Sequence, residues 1–188
     1  MGPEESYLRE LIDNGLLIPM GVDGVYGRSA VFEGVLDRFG DVVSVWGAEN
    51  HAEAIRFPPV MNRSHFEQSG YLKSFPHLAG TIHSFAGGER EHQALRRKLE
   101  NGEDWTADQK AIEIVVTPAA CYSLYPMVAG RGRLTPAGGL FDVYSWCLRH
   151  EPSLDPARMQ LFRMREYVRI GSPEQVMEFR EAWTERGR

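Results

Sequence analysis

Apolar residues recur every three to four positions in several stretches of the chain, a pattern typical of amphipathic helices. Five helices are predicted in this way, over 4–14, 29–47, 62–70, 89–102 and 173–186. Gly40 weakens the second helix, and Ser172 with Gln175 forms a capping box for the last one. Start signals predict two more short helices, one at Thr106 to Gln109 and one at Thr117-Pro118.

Runs rich in β-forming residues lie between these helices. Five strands are predicted, over 53–60, 79–87, 111–117, 140–151 and 161–171. Residues 15–27 hold four glycines and a proline and are predicted to form a loop. The last two strands are joined by a short proline-containing loop, as in a hairpin. The order of elements therefore favours an antiparallel α+β fold over a doubly wound parallel sheet.

Composition and charge narrow the function classes. The 188 residues suit one domain, and the net charge of −5 argues against a nucleic-acid binder, which usually has a basic surface. Two cysteines cannot form a disulfide framework and indicate a reducing compartment. No apolar run reaches the roughly 20 residues of a membrane span, and the acidic N-terminus does not resemble a signal peptide. We expect an unanchored, cytoplasmic protein.

Residues 147–168 contain the most informative candidate chemistry. On the predicted strand, Arg149 and Glu151 are two positions apart and therefore face the same side. With Arg158 in the following loop, they suit a ligand that carries both phosphate and amine groups. Phe162 supplies a surface for stacking. The alternative from the residues alone is a salt-bridge network on a solvated face.

These residues also resemble a known family. Leu148-Arg149-His150-Glu151, followed by a loop and a strand with Phe162, resembles motif 2 of class II aminoacyl-tRNA synthetases. Residues 57–78 resemble motif 1 of seryl-tRNA synthetases, with Pro59 as the motif proline. The runs SFPHLAGTIHSF, TPAACYSLYP and RHEPSLDPARMQLFRMREYV resemble the amino acid:[carrier protein] ligases, relatives of zinc-dependent seryl-tRNA synthetases. The resemblance covers most of residues 50–180.

The resemblance implies a fold and an activity. The fold is the class II catalytic domain, an antiparallel sheet flanked by helices, over 1–188, with a helical part (1–50) and a core from motif 1 to motif 2 (51–188). The activity is ATP- and Mg²⁺-dependent formation of a glycyl- or alanyl-adenylate, and transfer of the amino acid to the phosphopantetheine thiol of a carrier protein instead of tRNA. Motif 1 implies a homodimer. The alternatives are a tRNA synthetase and a non-catalytic, class II-like binding module.

The resemblance also assigns roles to individual residues. Arg149 matches the arginine that clamps the α-phosphate of ATP and the substrate carboxylate. Four others match nucleotide-binding positions: Glu151, Arg158 and Met159, and Phe162 as the ring that stacks on adenine. Cys121 and Glu166 match two of the three protein ligands of a zinc ion, which would bind the α-amine. Read without the resemblance, Cys121 is a small buried hydrophobe.

One departure from the family concerns the region after motif 2. There the family has a third zinc ligand, a cysteine, and a motif 3 arginine, but no cysteine follows Cys147 and no motif 3 pattern follows residue 171. Two explanations of this departure remain: the sequence is a fragment, or it is a shortened relative that has lost part of the site. Cys147 could replace the missing ligand, although packing in its strand is the favoured interpretation. The basic residues of 89–100 suit either a solvated face or a docking patch for an acidic carrier protein.

Overall fold

A computed structural model describes residues 2–188. The helices are α1 (Pro3–Asp13), α2 (Ala30–Gly47), α3 (Arg63–Gln68), α4 (Tyr71–Ser74), α5 (Glu89–Glu100), α6 (Leu124–Gly130) and α7 (Pro173–Arg186). The strands are β1 (Leu17–Val22), β2 (Val25–Arg28), β3 (Glu53–Arg56), β4 (Val60–Asn62), β5 (Thr81–Phe85), β6 (Gln109–Val116), β7 (Gly139–Leu148) and β8 (Leu161–Ile170). Within this part of the chain, no helix is both long and apolar enough to cross a membrane.

A three-stranded sheet in the order β3-β7-β8 forms the centre of the fold. β7 and β8 pair antiparallel without a bulge, from Gly139 opposite Ile170 to Leu148 opposite Leu161. β3 runs parallel to β7, which is possible because a long connection separates them in the chain. A second antiparallel sheet has the order β4-β6-β5, and β1 pairs with β2 in a separate hairpin.

Each face of the β7–β8 pair packs against different elements. On one face, Val143 and Cys147 are fully buried against Leu124 and Val128 of α6. On the other face, the guanidinium of Arg165 forms two 2.8 Å hydrogen bonds with the carboxylate of Asp142 and reaches Ser44 of α2 at 2.9 Å. The first face is mostly apolar around α6, with Glu166 opposite Val143, and the second joins α2 to the sheet through Arg165.

The structure confirms the predicted α+β class, but it corrects several local predictions. Most of the predicted loop over 15–27 belongs to the β1–β2 hairpin, which spans residues 17–28. Gly24 (φ 77°) lies in its turn, and Gly21 (φ 79°) lies in β1 where the pairing register shifts. The predicted strand over 53–60 divides into β3 and β4 around Pro58 and Pro59, which cannot donate to a ladder.

Two predicted helix starts are also wrong. Thr106 begins only a 3₁₀ turn, and its backbone amide donates to the Asp104 carboxylate. Gln109 already belongs to β6. Thr117 stays extended, since its amide donates to Pro59 and its carbonyl accepts from Leu148. A 3₁₀ turn then begins at Ala120. The final helix and its capping box are confirmed.

Candidate active site

Arg149 follows the last residue of β7 and extends the ladder by one step, with its amide 2.9 Å from the carbonyl of Gln160. Its side-chain Nε donates to the carbonyl of Pro118 at 3.1 Å, and its guanidinium lies 5.3 Å from the centre of the Phe162 ring. Within residues 2–188, neither terminal nitrogen donates a hydrogen bond. The guanidinium is thus fixed on one side and open to an anion on the other.

The Arg149–Glu151 relation differs from the sequence prediction. β7 ends at Leu148, not at Glu151, because Pro152 cannot donate to a ladder and the chain must turn into the loop. The amide of Glu151 donates to the carbonyl of Arg149 at 2.8 Å, which closes a tight turn. The strand-parity argument for a common face therefore does not hold.

The predicted nucleotide residues of the loop lie close to one another. Glu151 and Arg158 form a salt bridge across the loop, and Arg158 is also 4.0 Å from Asp155. Met159 lies beside the β1–β2 hairpin, and its Sδ is 3.6 Å from an Nη of Arg28 in β2. The loop therefore presents an exposed ion pair, and its end is anchored against β2.

Cys121 and Glu166 are 45 residues apart in sequence, and the fold brings them together. Glu166 projects from β8 opposite Val143, and its Oε2 accepts the amide of Cys121 at 2.8 Å. Cys121 lies in the 3₁₀ turn Ala120–Ser123, which packs on β7 and β8. A thiol and a carboxylate are ligands that Zn²⁺ accepts, so this pair fits two positions of a zinc site.

Burial dominates the electrostatics of this pair. It raises the pKa of the Cys121 thiol to about 12, and the Glu166 carboxylate adds to the effect. The pKa of Tyr125 is also about 12, again through burial first and the neighbouring Cys121 second. The thiol is protonated at neutral pH, and a metal ion must displace that proton to bind.

Cys147 does not complete a metal site. It lies fully buried in β7 opposite Phe162, with its thiol 3.9 Å from the carbonyl of Ser145. Among the residues that the structure describes, no three His, Cys, Asp or Glu side chains come together in a way that could hold a metal ion. Within the described part of the chain, Cys121 and Glu166 therefore have no third His, Cys, Asp or Glu beside them that would complete a site.

Two curated proteins are similar to this chain over most of its length. The chain is 49% identical to amino acid–[acyl-carrier-protein] ligase 1 of Bradyrhizobium diazoefficiens over 165 residues, and 47% identical to ligase 2 of the same organism over 181 residues. This chain is a homologue of the amino acid–[acyl-carrier-protein] ligases. The alignments cover 87% and 96% of the chain but 50% and 54% of the ligases, so the chain spans about half the length of these curated relatives. No family model matches it.

Solved structures confirm the class II fold. The chain superposes on a seryl-tRNA synthetase of M. kandleri, solved with A. aeolicus tRNASec, with a TM-score of 0.81 and 18% identity, over 95% of this chain and 36% of that one. A prolyl-tRNA synthetase of Giardia lamblia, solved with prolyl-adenylate, gives a TM-score of 0.68 and 13% identity over 96% of this chain and 34% of that one. At these identities the likeness concerns the fold alone.

Two tyrosines near the site of this ligase homologue escaped the sequence analysis. The Tyr71 hydroxyl is buried without a hydrogen-bond partner among residues 2–188, and its ring lies 5.5 Å from that of Tyr122, edge to face. Burial raises the pKa of both hydroxyls, and the charge of Arg149 partly opposes this. In sequence they resemble ordinary core residues, and only the missing partner of Tyr71 distinguishes it.

Proposed function

We propose that this chain activates a small amino acid, glycine or alanine, with ATP and Mg²⁺ to form an aminoacyl-adenylate, which then acylates the phosphopantetheine thiol of a carrier protein. The observation that carries the proposal is the Arg149 guanidinium, held on one side by Pro118 and Phe162 and open at both terminal nitrogens. The names of the ligase relatives support the carrier protein and the amino acid substrate.

Arg149 performs the central task in this proposal. Its two free nitrogens match the geometry of a phosphate or carboxylate and bind the α-phosphate and the substrate carboxylate. Charge that develops on the phosphate is neutralised by a group that is already in place, so no reorganisation is needed in the transition state. Phe162 offers the stacking surface for adenine in the same site.

Glu151, Arg158 and Met159 bind the nucleotide from the loop. The Glu151 and Arg158 side chains remain 42% and 61% exposed while paired. Exposed ion pairs contribute about 0–1 kcal/mol, so the pair opens at little cost when phosphate competes for the guanidinium. The loop therefore exchanges an internal contact for a contact with ATP.

Cys121 and Glu166 would hold zinc in this proposal. When bound, zinc supplies Lewis acidity that orients a neutral α-amine and rejects acids that lack one. With two protein ligands, we expect weak retention, which metal analysis after dialysis against a mild chelator measures. Cys121→Ser should abolish residual binding, and Cys147→Ser is the control that should not. Stoichiometric zinc retained by the unaltered chain and lost in Cys147→Ser would show that Cys147 is a third ligand.

Amino-acid-dependent exchange of pyrophosphate into ATP tests the activation step. We expect exchange with glycine or alanine, and then acyl transfer to a holo-carrier protein. The second candidate function is a non-catalytic binding module, favoured because no three His, Cys, Asp or Glu side chains among the described residues come together to hold a metal ion. ATP binding without exchange would establish the module and refute the ligase. Transfer to tRNA, or tight salt-sensitive tRNA binding, would instead indicate a synthetase; the net charge of −5 argues against both.

Helix α5 is proposed as the surface that attracts the carrier protein. It has no buried residue, and two of its four basic side chains are paired, Arg96 with Glu100 and Lys98 with Asp108. Arg90 and Arg97 form no salt bridge within residues 2–188. Reversing both to Glu should slow transfer to an acidic carrier protein and leave pyrophosphate exchange unchanged. Equal transfer rates would contradict this docking site.

The chain is also proposed to form a homodimer through α2. Its outer face carries an apolar stripe, defined by Val31, Val35, Phe39, Val42 and Trp46, and all five side chains are exposed. The resemblance placed the dimer motif at 57–78, whereas the extended apolar surface lies on the preceding helix. Contiguous exposed apolar surface of this kind marks a protein interface.

A further inference from the structure

The turn of the β1–β2 hairpin lies against Gln160, the last residue of the loop that joins β7 to β8. The amide of Gln160 donates to the carbonyl of Gly24 at 2.8 Å, and its Nε2 donates to the carbonyl of Asp23 at 2.7 Å. A Cβ on Gly24 would lie 3.2 Å from the backbone nitrogen of Gln160 and 3.0 Å from its Cγ, so the two residues approach closely. Arg28 of β2 also reaches Met159. The hairpin thus holds the end of the loop at several points.

Gln160 also connects this hairpin to the arginine of the site. Its carbonyl accepts the amide of Arg149 at 2.9 Å, and its Oε1 lies 3.0 Å from Nδ1 of His150. The residue is only 5% exposed. One buried side chain therefore joins the N-terminal hairpin to the turn that begins with Arg149 and His150.

The direction of these hydrogen bonds fixes a proton on His150. The carbonyl of Asp23 can only accept, so the atom of Gln160 that faces it must be the NH₂ group. Oε1 therefore faces His150 and can only accept. The neutral imidazole must then carry its proton on Nδ1, which leaves Nε2 as an acceptor.

We propose that Gln160 is a positioning residue for the activation reaction: its carboxamide locks the Arg149–His150 turn to the β1–β2 hairpin and so holds the Arg149 guanidinium in its reactive orientation. This inference rests on the proposed function. The carboxamide touches no reacting group and acts through the turn. A displacement of about 1 Å at a reacting centre costs as much as 10²-fold in rate, so a loosened turn should lower the rate of activation.

The test uses Gln160→Ala in the 188-residue chain. The backbone bonds to Gly24 and Arg149 do not need the side chain, so the ladder should persist. We expect kcat of pyrophosphate exchange to fall about 10- to 100-fold, while KM for the amino acid changes less than about threefold. The matched control is Gln175→Ala, which removes the two side-chain hydrogen bonds of another glutamine, at the start of α7. It should leave exchange unchanged.

A spectroscopic measurement decides the hydrogen-bond network without any activity. In ¹⁵N spectra of the neutral imidazole, His150 should be protonated on Nδ1 in the unaltered chain and in Gln175→Ala. It should revert to the Nε2–H tautomer, which free histidine favours, in Gln160→Ala. An Nε2–H tautomer in the unaltered chain would overturn the inference even if the variant does not fold, and normal exchange in Gln160→Ala would overturn it too. Absence of exchange in the unaltered chain would count against the proposed function instead.

Discussion

Arg149 is the residue on which the proposed chemistry depends. Arg149→Ala removes two free donors from the site and should lower pyrophosphate exchange by about 10²–10³-fold, or ~2.7–4 kcal/mol, as for loss of a preorganised donor. The fold should persist, because the side chain forms one hydrogen bond, to Pro118. Arg180→Ala on α7 is the control, since that side chain forms no hydrogen bond within residues 2–188. Near-normal exchange in Arg149→Ala would remove the basis of the proposal.

Asp142 lies on the face of the β7–β8 pair that packs against α2, and replacing it tests how much that face contributes to stability. Its carboxylate is 7% exposed and bonds the guanidinium of Arg165, which is itself 19% exposed. Asp142→Ala leaves a largely buried cation unpaired and should lower the free energy of unfolding by about 3–5 kcal/mol in urea titrations. The control is Glu53→Ala: this carboxylate pairs with Arg131 at 2.6 Å, but both side chains are nearly half exposed, so little change is expected. Equal losses in the two variants would contradict this difference.

At the residue scale, the sequence could identify candidates but not their geometry. The resemblance named Arg149 with Phe162 and Cys121 with Glu166, and the structure brings the members of each pair together. Parity along a strand failed for Glu151, because it assumed that the strand continued past Leu148. The Gln160 contacts with the hairpin could not be foreseen, since they join residues more than 130 positions apart.

Among the elements, α2 shows how one glycine sets the contact between a helix and a sheet. A Cβ at Gly47 would overlap the Tyr167 hydroxyl and lie 2.8 Å from Cε1 of that ring. The ring cannot easily move, because its centre packs 4.6 Å from that of Trp183. Gly47→Ala should therefore destabilise the protein by about 1–3 kcal/mol. Gly40→Ala in the same helix meets nothing within 4 Å and should stabilise it by about 0.5–1 kcal/mol. Urea unfolding of both variants gives the comparison, and the same sign of change in both would refute it.

Periodicity predicted the long helices and the β7–β8 pair because these elements depend on local patterns. It failed where pairing is non-local. β3 lies beside β7 with Arg56 opposite Tyr144, a parallel contact across more than 80 residues for which no local signal exists. It also failed for the β1–β2 hairpin, since glycine-rich segments predict a loop whether or not the flanking residues pair.

For the whole molecule, the apolar stripe of α2 is the feature that a single chain leaves unexplained. Val35 and Phe39 are 54% and 62% exposed, and residues spaced by three or four positions share one helix face. Burying this face against a second copy removes apolar surface from water at about 25 cal/mol per Å², which favours association. A symmetric dimer is the usual result when one surface is self-complementary.

The oligomeric state tests this interface directly. We expect the unaltered chain to sediment as a dimer in analytical ultracentrifugation, and Phe39→Asp to sediment as a monomer, because a charge in an apolar contact cannot be buried without a partner. Met177→Asp is the matched control: Met177 is an exposed apolar residue, 46% accessible, on α7 and outside the stripe, so this variant should remain a dimer. An unaltered chain that is monomeric, or a Phe39→Asp variant that stays dimeric, would contradict the α2 interface. Circular dichroism that matches the unaltered chain would show that the loss of dimer in Phe39→Asp reflects the contact and not unfolding, since the side chain of Phe39 lies mostly in solvent in the single chain.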